Sequence, residues 1–540
     1  MDGNGTFAGS HWTCDHGDTA RSKYTINAGL PRDLNEKTKV FIKKCESKEV
    51  YLVQWIYSRN KTEIYGFQPW LIPGTKMPDG SREIFGKGCS IVKLNAETLE
   101  CIQTYEFPFN VYIGGLLMHE NGDVYVSNGG IIYRFEDGDL NKVTLRKLYQ
   151  DMGGNRWATQ SNGLLVTNDG YLVIKAWSLT YRDAGILKAF LFMIGIITLI
   201  IMSIITLLFG INVSLTFFLI ACTYLEVPLP ILPWTWNWSL SSVTAEKKLS
   251  RIYILDPLTL ATVDSYAPID RVSYGRMAMS PYNGNDKSSS NSSTRSSSKN
   301  KNTQNENTTN KGDEWLVIPG ESLIMRWRIQ QGKLTYDEDW SEVYRTPGNS
   351  TFAGTGPSIA NDIVCYTDNT FPFFKADSGF KLFMKDLSSY EPQKSAEMAP
   401  NNPGFMFWST VVDPVHDAFI VWDIHNGFVM SYDRHTCKLR WKAPFRCYDC
   451  ISVAADRNHV YVTHHDLEVD NIVQHAREVG IAPNKKIAEK ELIVLNSKDG
   501  SVIKRILLGD IAASASVIMP GPNNDVYIGG RFGGIARIYC

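Results

Sequence analysis

Cys447 and Cys450 are the only closely spaced cysteines in the chain. Structural zinc takes four ligands, so this pair would need a second pair or histidines at matching spacing, and none follows. A redox pair would sit at a helix N-terminus, yet this one leads into Ile451-Ser452-Val453, a strand pattern. The two read as structural cysteines. His464-His465-Asp466 offers imidazoles and a carboxylate for metal ligation or proton transfer. Strand neighbours point to opposite sides, so three in a row do not converge on one ion, and a solvated or locally hydrogen-bonded turn is expected. Glu226 invites a reading as an intramembrane carboxylate, but its place beside Pro228 and Pro230 suits a solvated position at the interface. No Gly-rich phosphate loop, nucleophile elbow, HExxH helix or basic-aromatic stripe is present. Catalytic and cofactor-binding residues are therefore unassigned, no metal site is expected, and nucleic acid is not a partner.

These residues must be positioned by a chain of 540 residues, longer than one ordinary core supports unless the fold repeats or closes on itself. A net charge of -1 supplies no field to steer the chain to nucleic acid or an anionic surface. Aromatic residues at 12% and 42 glycines suit short strands and tight turns, hence an all-β fold. The ten cysteines are scattered, unlike those of a small disulfide scaffold. The start, MDGNGTFAGSHW, lacks a basic stretch followed by an apolar run, so no secretory signal is read there and the first residues are expected in the cytosol.

One pattern recurs: a polar turn, then a short strand rich in Val, Ile, Tyr and Trp. Copies begin at Val50, Asp123, Gly170, Glu314, Asp362, Ala418, His459 and Asp525, and are read as the first strands of successive blades. Ring closure removes the exposed edges of so long an open sheet, which predicts a β-propeller of seven or eight blades. A second pattern places Asp or Asn three residues before Thr or Asp, at Asn95 and Thr98, Asp256 and Thr259, Asp433 and Thr436, and Asn496 and Asp499. That spacing suits a tight turn in which short polar side chains bond nearby backbone.

Asp433, Thr436 and Trp441 match a docking turn of the form Ala-x-Asp-x-x-Thr-Gly-x-x-x-Trp, with Cys437 in the glycine position. On these residues the chain resembles the PQQ-like (quinoprotein alcohol dehydrogenase-like) β-propeller superfamily, over nearly all residues outside the hydrophobic insert. The resemblance implies a fold rather than an activity. His11-Trp12 and His16-Gly17-Asp18 resemble the N-terminal segment of such propellers, where Trp and Asp pin the ring closure, which implies a structural role. Quinoprotein dehydrogenases hold their cofactor with adjacent cysteines and a calcium-binding carboxylate cluster. This chain has no adjacent cysteines, so bound PQQ is not expected.

Residues 189–225 carry no charge, and the first part, AFLFMIGIITLIIMSIITLLFG, is long enough to span about 33 Å as a helix. The expected division is residues 1–179 as the first part of the propeller, 180–248 as a transmembrane or re-entrant hairpin with helices at about 187–210 and 213–227, and 249–540 as the second part. Trp234, Trp236 and Trp238 cluster where the second leg would leave the bilayer. A Ser/Asn-rich stretch, 283–311, lacks apolar residues and is expected to be a disordered loop. Lys175, Arg182, Lys188, Lys247, Lys248 and Arg251 flank the insert, which places the disc on the cytosolic side of a membrane, although PQQ-like propellers are often exported. The expected function is a membrane-anchored, non-enzymatic scaffold whose partners are the lipid bilayer and a protein or small molecule on the propeller face. The alternative is a quinoprotein-like oxidoreductase or another propeller enzyme with an axial-channel site.

Overall fold

The computed structural model describes residues 23–25, 28–46, 54–68, 89–108, 114–152, 159–178, 250–270, 276–280, 314–320, 322–346, 356–368, 380–400, 404, 406, 409–447, 453–465, 490–508, 515–530 and 534–540. These residues form eight sheets whose strands follow sequence order, from blade 1 (Gln54–Tyr57, Glu63–Gln68, Ser90–Asn95 and Cys101–Glu106) to blade 8, which begins at Ala515–Gly521. The first strands of successive blades lie side by side around an axis. Trp55 and Tyr57 of blade 1 meet Tyr527 of blade 8 edge-on, with centroids 6.2 and 5.8 Å apart, which closes the circle. The fold is an all-β, eight-bladed propeller.

The N-terminal part of the chain is used twice. Phe41–Lys44 forms the fourth strand of blade 8, antiparallel to Gly534–Tyr539, with Phe41 opposite Tyr539 and Lys44 opposite Ala536. Before it, Tyr24–Thr25 adds a parallel strand to the inner edge of blade 7, against Val453–Asp456. Gly29 (φ 99) then turns the chain out of the ring. Its amide donates to the Gly521 carbonyl at 2.8 Å, and a Cβ there would fall 2.1 Å from Asp456 Oδ2, so only glycine fits.

Seven of the eight recurring strands belong to the ring, but as second strands rather than first. They are Val124–Asn128, Leu172–Ser178, Glu314–Pro319, Ile363–Asp368, Ala418–Asp423, His459–His465 and Asp525–Gly530. The strand read at Val50 lies outside the described residues, and Glu63–Gln68 fills the equivalent place in blade 1. Second strands stand out because blades cover both their faces, so they run as unbroken apolar stretches. Several inner strands are too short to show a period: Ala278–Met279 has two residues and Val411–Asp413 three.

The Asp/Asn–Thr turns join third to fourth strands, and one geometry repeats. In blade 3, Asp256 Oδ1 accepts from the amides of Leu258 (3.1 Å) and Thr259 (2.8 Å) and from the Thr259 hydroxyl (2.8 Å). The Thr259 amide and hydroxyl hold this carboxyl below its usual range. The next residue is left-handed in every copy: Leu99 (φ 63), Leu260 (φ 58), Cys437 (φ 57) and Gly500 (φ 74). A related turn without the left-handed residue is Asn35 with Thr38, where the Asn35 amide donates to Thr38 Oγ1 at 3.0 Å and the Thr38 amide to the Asn35 carbonyl at 3.1 Å.

Each fourth strand reaches the turn of the next blade, so the ring is latched at every junction. From blade 1 onward the contacts are Gln103 Nε2 to Asp139 Oδ1 (3.0 Å), Arg146 Nη2 to Thr262 Oγ1 (2.6 Å), the Leu334 amide to Asp264 Oδ2 (2.8 Å) and Trp340 Nε1 to the Asp386 carbonyl (2.8 Å). They continue with Lys394 Nζ to the His435 carbonyl (2.6 Å), Trp441 Nε1 to the Ser497 carbonyl (3.0 Å), Lys504 Nζ to the Glu36 carbonyl (2.9 Å) and Cys45 Sγ to the Leu99 carbonyl (3.3 Å). Gln103, Asp264, Lys394, Trp441 and Lys504 all occur at the same offset from their turn residue Asn95, Asp256, Asp386, Asp433 or Asn496. The matched motif has its tryptophan at that offset. Where a tryptophan stands at that offset, as Trp441 does, the left-handed residue of the turn it reaches is Gly500, whose missing Cβ would lie 2.7 Å from Trp441 Cε3.

Because strands alternate in direction, first-to-second and third-to-fourth connections share one face, here the turn face. Second-to-third and blade-to-blade connections share the other, the loop face. The segments 69–89, 179–249, 369–379 and 466–489 all leave from the loop face, while 281–313, which contains the Ser/Asn-rich stretch, leaves from the turn face. The expected hairpin helices at about 187–210 and 213–227 lie outside the described residues, as does 283–311. No helix among the described residues is long and apolar enough to cross a membrane. Lys175 is a correction to the sequence reading: it is buried within Leu172–Ser178 and is not a flanking surface charge.

Candidate functional site

Charge buried in the inner parts of the blades separates along the axis. At the turn face, Asp123, Glu314, Asp413, Asp456 and Asp525 sit buried where first strands pass to second strands. Partners drawn from the same or adjacent blades hold them. Arg134 Nε reaches Asp123 at 2.6 Å, Arg537 Nε reaches Asp525 at 2.7 Å, and His459 Nδ1 lies 3.0 Å from Asp456. Both Glu314 oxygens accept from the Asn168 amide at 2.9 Å, yet burial pushes its carboxyl up to about 8, with the nearby Asp169 charge adding to the rise. Three of these contacts brace a single blade, and that of Glu314 joins blade 4 to blade 3.

The loop-face half is richer in cations. Lys23, Lys175, Arg276 and Arg345 are buried there, against Asp368 and Asp423 at the ends of second strands. Farther from the axis, Glu491 is matched by Arg505 at 2.7 Å. Lys23 lies on the inner edge of blade 7, where its carbonyl accepts from the Ala455 amide at 3.0 Å. Its ammonium donates to the Ser409 carbonyl at 2.6 Å and stands 4.3 Å over the Trp422 ring. Arg276, entering the first strand of blade 4, donates to the Gly114 carbonyl of blade 2 at 2.6 Å, across the start of blade 3. Arg345 lies 3.8 Å from Asp368. Asp423 organises the blade 6 hairpin by accepting from the His425 and Asn426 amides at 3.0 and 3.2 Å. At this loop-face mouth all four cations already have partners within the chain, so they brace the blades.

Two sequence candidates meet beside this mouth. Cys447 bridges to His464, whose Nδ1 accepts from the Arg446 amide at 3.0 Å. His464 therefore continues strand His459–His465 rather than forming a turn, and Phe445 packs edge-on to its ring at 5.3 Å. Burial raises the Cys447 thiol well above its usual range, which suppresses the reactive thiolate. His465 pairs through its backbone with Lys490. Cys450, Asp466, Glu226, His11, Trp12, His16 and Asp18 lie outside the described residues. Sequence reasoning missed Lys23, Arg276 and Asp423, since isolated charges in strand-like surroundings carry no spacing signal.

Asp413, His416 and Ser497 come together at the turn face. Asp413 Oδ2 lies 2.9 Å from His416 Nδ1, and Ser497 Oγ lies 3.4 Å from the same nitrogen. A nucleophilic triad uses the two ring nitrogens separately, so this arrangement relays no proton from serine to aspartate. Among the described residues no three His, Cys, Asp or Glu side chains are grouped to hold a metal ion. With no adjacent cysteines in the chain, this donor set does not fit a calcium-supported quinone cofactor.

No protein-family model and no curated protein matches the chain. Among solved structures it is similar to BamB from Moraxella catarrhalis, at 10% identity and a TM-score of 0.46, covering 93% of this chain and 99% of that one. It is also similar to the computationally designed Ika8 protein, at 9% identity and a TM-score of 0.44, covering 92% and 98% of the two chains.

Proposed function

We propose that the chain is a PQQ-like propeller serving as a binding scaffold rather than an enzyme. Residues 180–248 hold it at a membrane, with the loop face toward the bilayer and the disc on the cytosolic side. The observation that carries this reading is the pairing of Leu172–Ser178 with Ser250–Leu255 in continuous register out to Trp177 opposite Ser250. The blade is complete without the intervening segment, so the uncharged run 189–225 is an addition to the disc rather than part of its core.

Replacing residues 179–248 with Asn-Gly joins strand ends that already face one another, a two-residue loop that hairpins favour. This variant is expected to keep its fold by circular dichroism and to leave the membrane pellet on carbonate extraction, while the full chain stays in it. Carbonate release of the full chain would overturn the anchor. A protease site placed within 283–311, on the turn face, is expected to be cut in sealed cytosol-side-out vesicles without detergent. Protection there would reverse the orientation.

A further inference from the structure

Charge on the outer strands of the disc is sorted by sign. Leu439–Ala443, Val502–Leu507 and Phe41–Lys44, the fourth strands of blades 6, 7 and 8, carry two cations each and no carboxylate. Thr262–Tyr266, Lys333–Val343 and Lys394–Ala399, the fourth strands of blades 3, 4 and 5, carry one, four and one carboxylates against Lys333 and Lys394. Several of these charges are already paired, Arg505 with Glu491 and Lys385 with Glu342 among them. Others are not. Lys37, Lys39 and Lys43 at the rim of blade 8, and Glu338, Asp339 and Glu397 at the rims of blades 4 and 5, have no side-chain partner among the described residues. Each rim also bares apolar groups: Phe41 and Leu507 on the basic side, and Val343 and Tyr390 on the acidic side, are all more than half exposed.

A charge of either sign guards an outer strand against stray pairing, so edge protection alone does not send the two signs to different sides of the disc. A contact between copies does. Blades 4 and 8 stand opposite one another in a ring of eight, and the net charge of -1 leaves no overall repulsion to keep copies apart. We propose that the rim around blade 8 of one copy docks on the rim around blade 4 of a second, with Lys37, Lys39 and Lys43 set against Glu338, Asp339 and Glu397 and the bared apolar groups enclosed between them. The two patches differ and face opposite ways, so each copy engages two neighbours and assembly continues past the dimer. This contact goes beyond the anchor reading and does not rest on it, since none of its residues belongs to 180–248. A disc held flat by that segment would turn its rim toward its neighbours.

Sedimentation velocity on the detergent-solubilised full chain reads the contact. In about 0.02 M salt the mean mass is expected to rise past the dimer with concentration, and in about 0.5 M salt, where the screening length falls below about 8 Å, association should weaken about tenfold or more. Two triple variants reverse one rim each: Lys37→Glu with Lys39→Glu and Lys43→Glu, and Glu338→Lys with Asp339→Lys and Glu397→Lys. Each alone is expected to stay monomeric. Mixed in equal amounts they should associate again, because one then offers two acidic rims and the other two basic ones. Should either variant lose its circular dichroism, the salt dependence of the unaltered chain decides alone. A full chain that is monomeric at low salt would overturn the proposal and leave the basic rim to a partner of other chemistry. Association that persists through high salt and both variants, or a mixture that remains monomeric, would overturn the charge pairing. Neither result bears on the anchor, which carbonate extraction reads separately.

Discussion

A latch built on tryptophan should be transferable from one blade junction to another. At the junction of blades 6 and 7, Trp441 lies on Gly500; at that of blades 5 and 6, Lys394 takes the tryptophan position and Cys437 the glycine position. Lys394→Trp alone brings an indole onto a residue with a Cβ and a sulfur, where the Gly500 geometry leaves 2.7 Å even to a bare Cβ. Such overpacking costs about 1–3 kcal/mol. Cys437→Gly alone loses about 1 kcal/mol of burial. It recovers a similar amount, about 1–2 kcal/mol, by relieving a left-handed non-glycine residue. Its net effect is therefore close to zero. In the double variant the clash disappears and the indole N–H replaces the ammonium as donor to the turn. The pair should then be about 1–3 kcal/mol more stable than the sum of the single changes. Urea midpoints of the four proteins give the cycle, and hydrogen exchange at the Cys437 amide, bonded to the Asp433 carbonyl at 2.9 Å, reports the junction itself. Additivity to within about 0.5 kcal/mol would refute the idea that the two positions are chosen together.

Leu260→Gly, at a left-handed residue that is 1% exposed, should destabilise by about 2–3 kcal/mol, because the lost packing outweighs the relieved strain; a rise in the urea midpoint would contradict this. Glu314 binds its proton more tightly folded than unfolded, so its contribution to stability is largest below its usual pKa of 4.5 and declines as pH rises toward about 8. Glu314→Gln should remove that decline, on the order of 2–5 kcal/mol, and parallel urea profiles from acidic to alkaline pH for the two proteins would count against the argument. Asp525→Asn leaves Arg537 without its charge partner beside the blade 8 to blade 1 seam and should cost about 3 kcal/mol, read as a lower thermal midpoint.

The blade number was legible because second strands are covered on both faces and announce themselves as apolar runs, Asp525–Gly530 and Ala418–Asp423 among them. Their rank within the blade was not legible, since inner strands as short as Ala278–Met279 and Val411–Asp413 show no alternation. The turns were visible through Asp256 and Thr259, but the latches were hidden by chemistry: a motif with tryptophan at one offset does not suggest Gln103, Asp264 or Lys504 there. Asn35 and Thr38 escaped notice because their blade partners lie at the far end of the sequence. At the mouth, Lys23 and Arg276 acquire meaning only once the ring brings distant segments together.

The pairing of Phe41–Lys44 with Gly534–Tyr539 also sets the order of events on the ribosome. The early strand must wait until a partner far downstream in the sequence has emerged. Contacts of such sequence separation form slowly, and an unpaired edge invites wrong partners meanwhile. A nascent chain released early would lack that partner, and its eighth sheet would stay open. Only chains that carry both strands can finish the circle, so a cut anywhere between them leaves that one seam unmade.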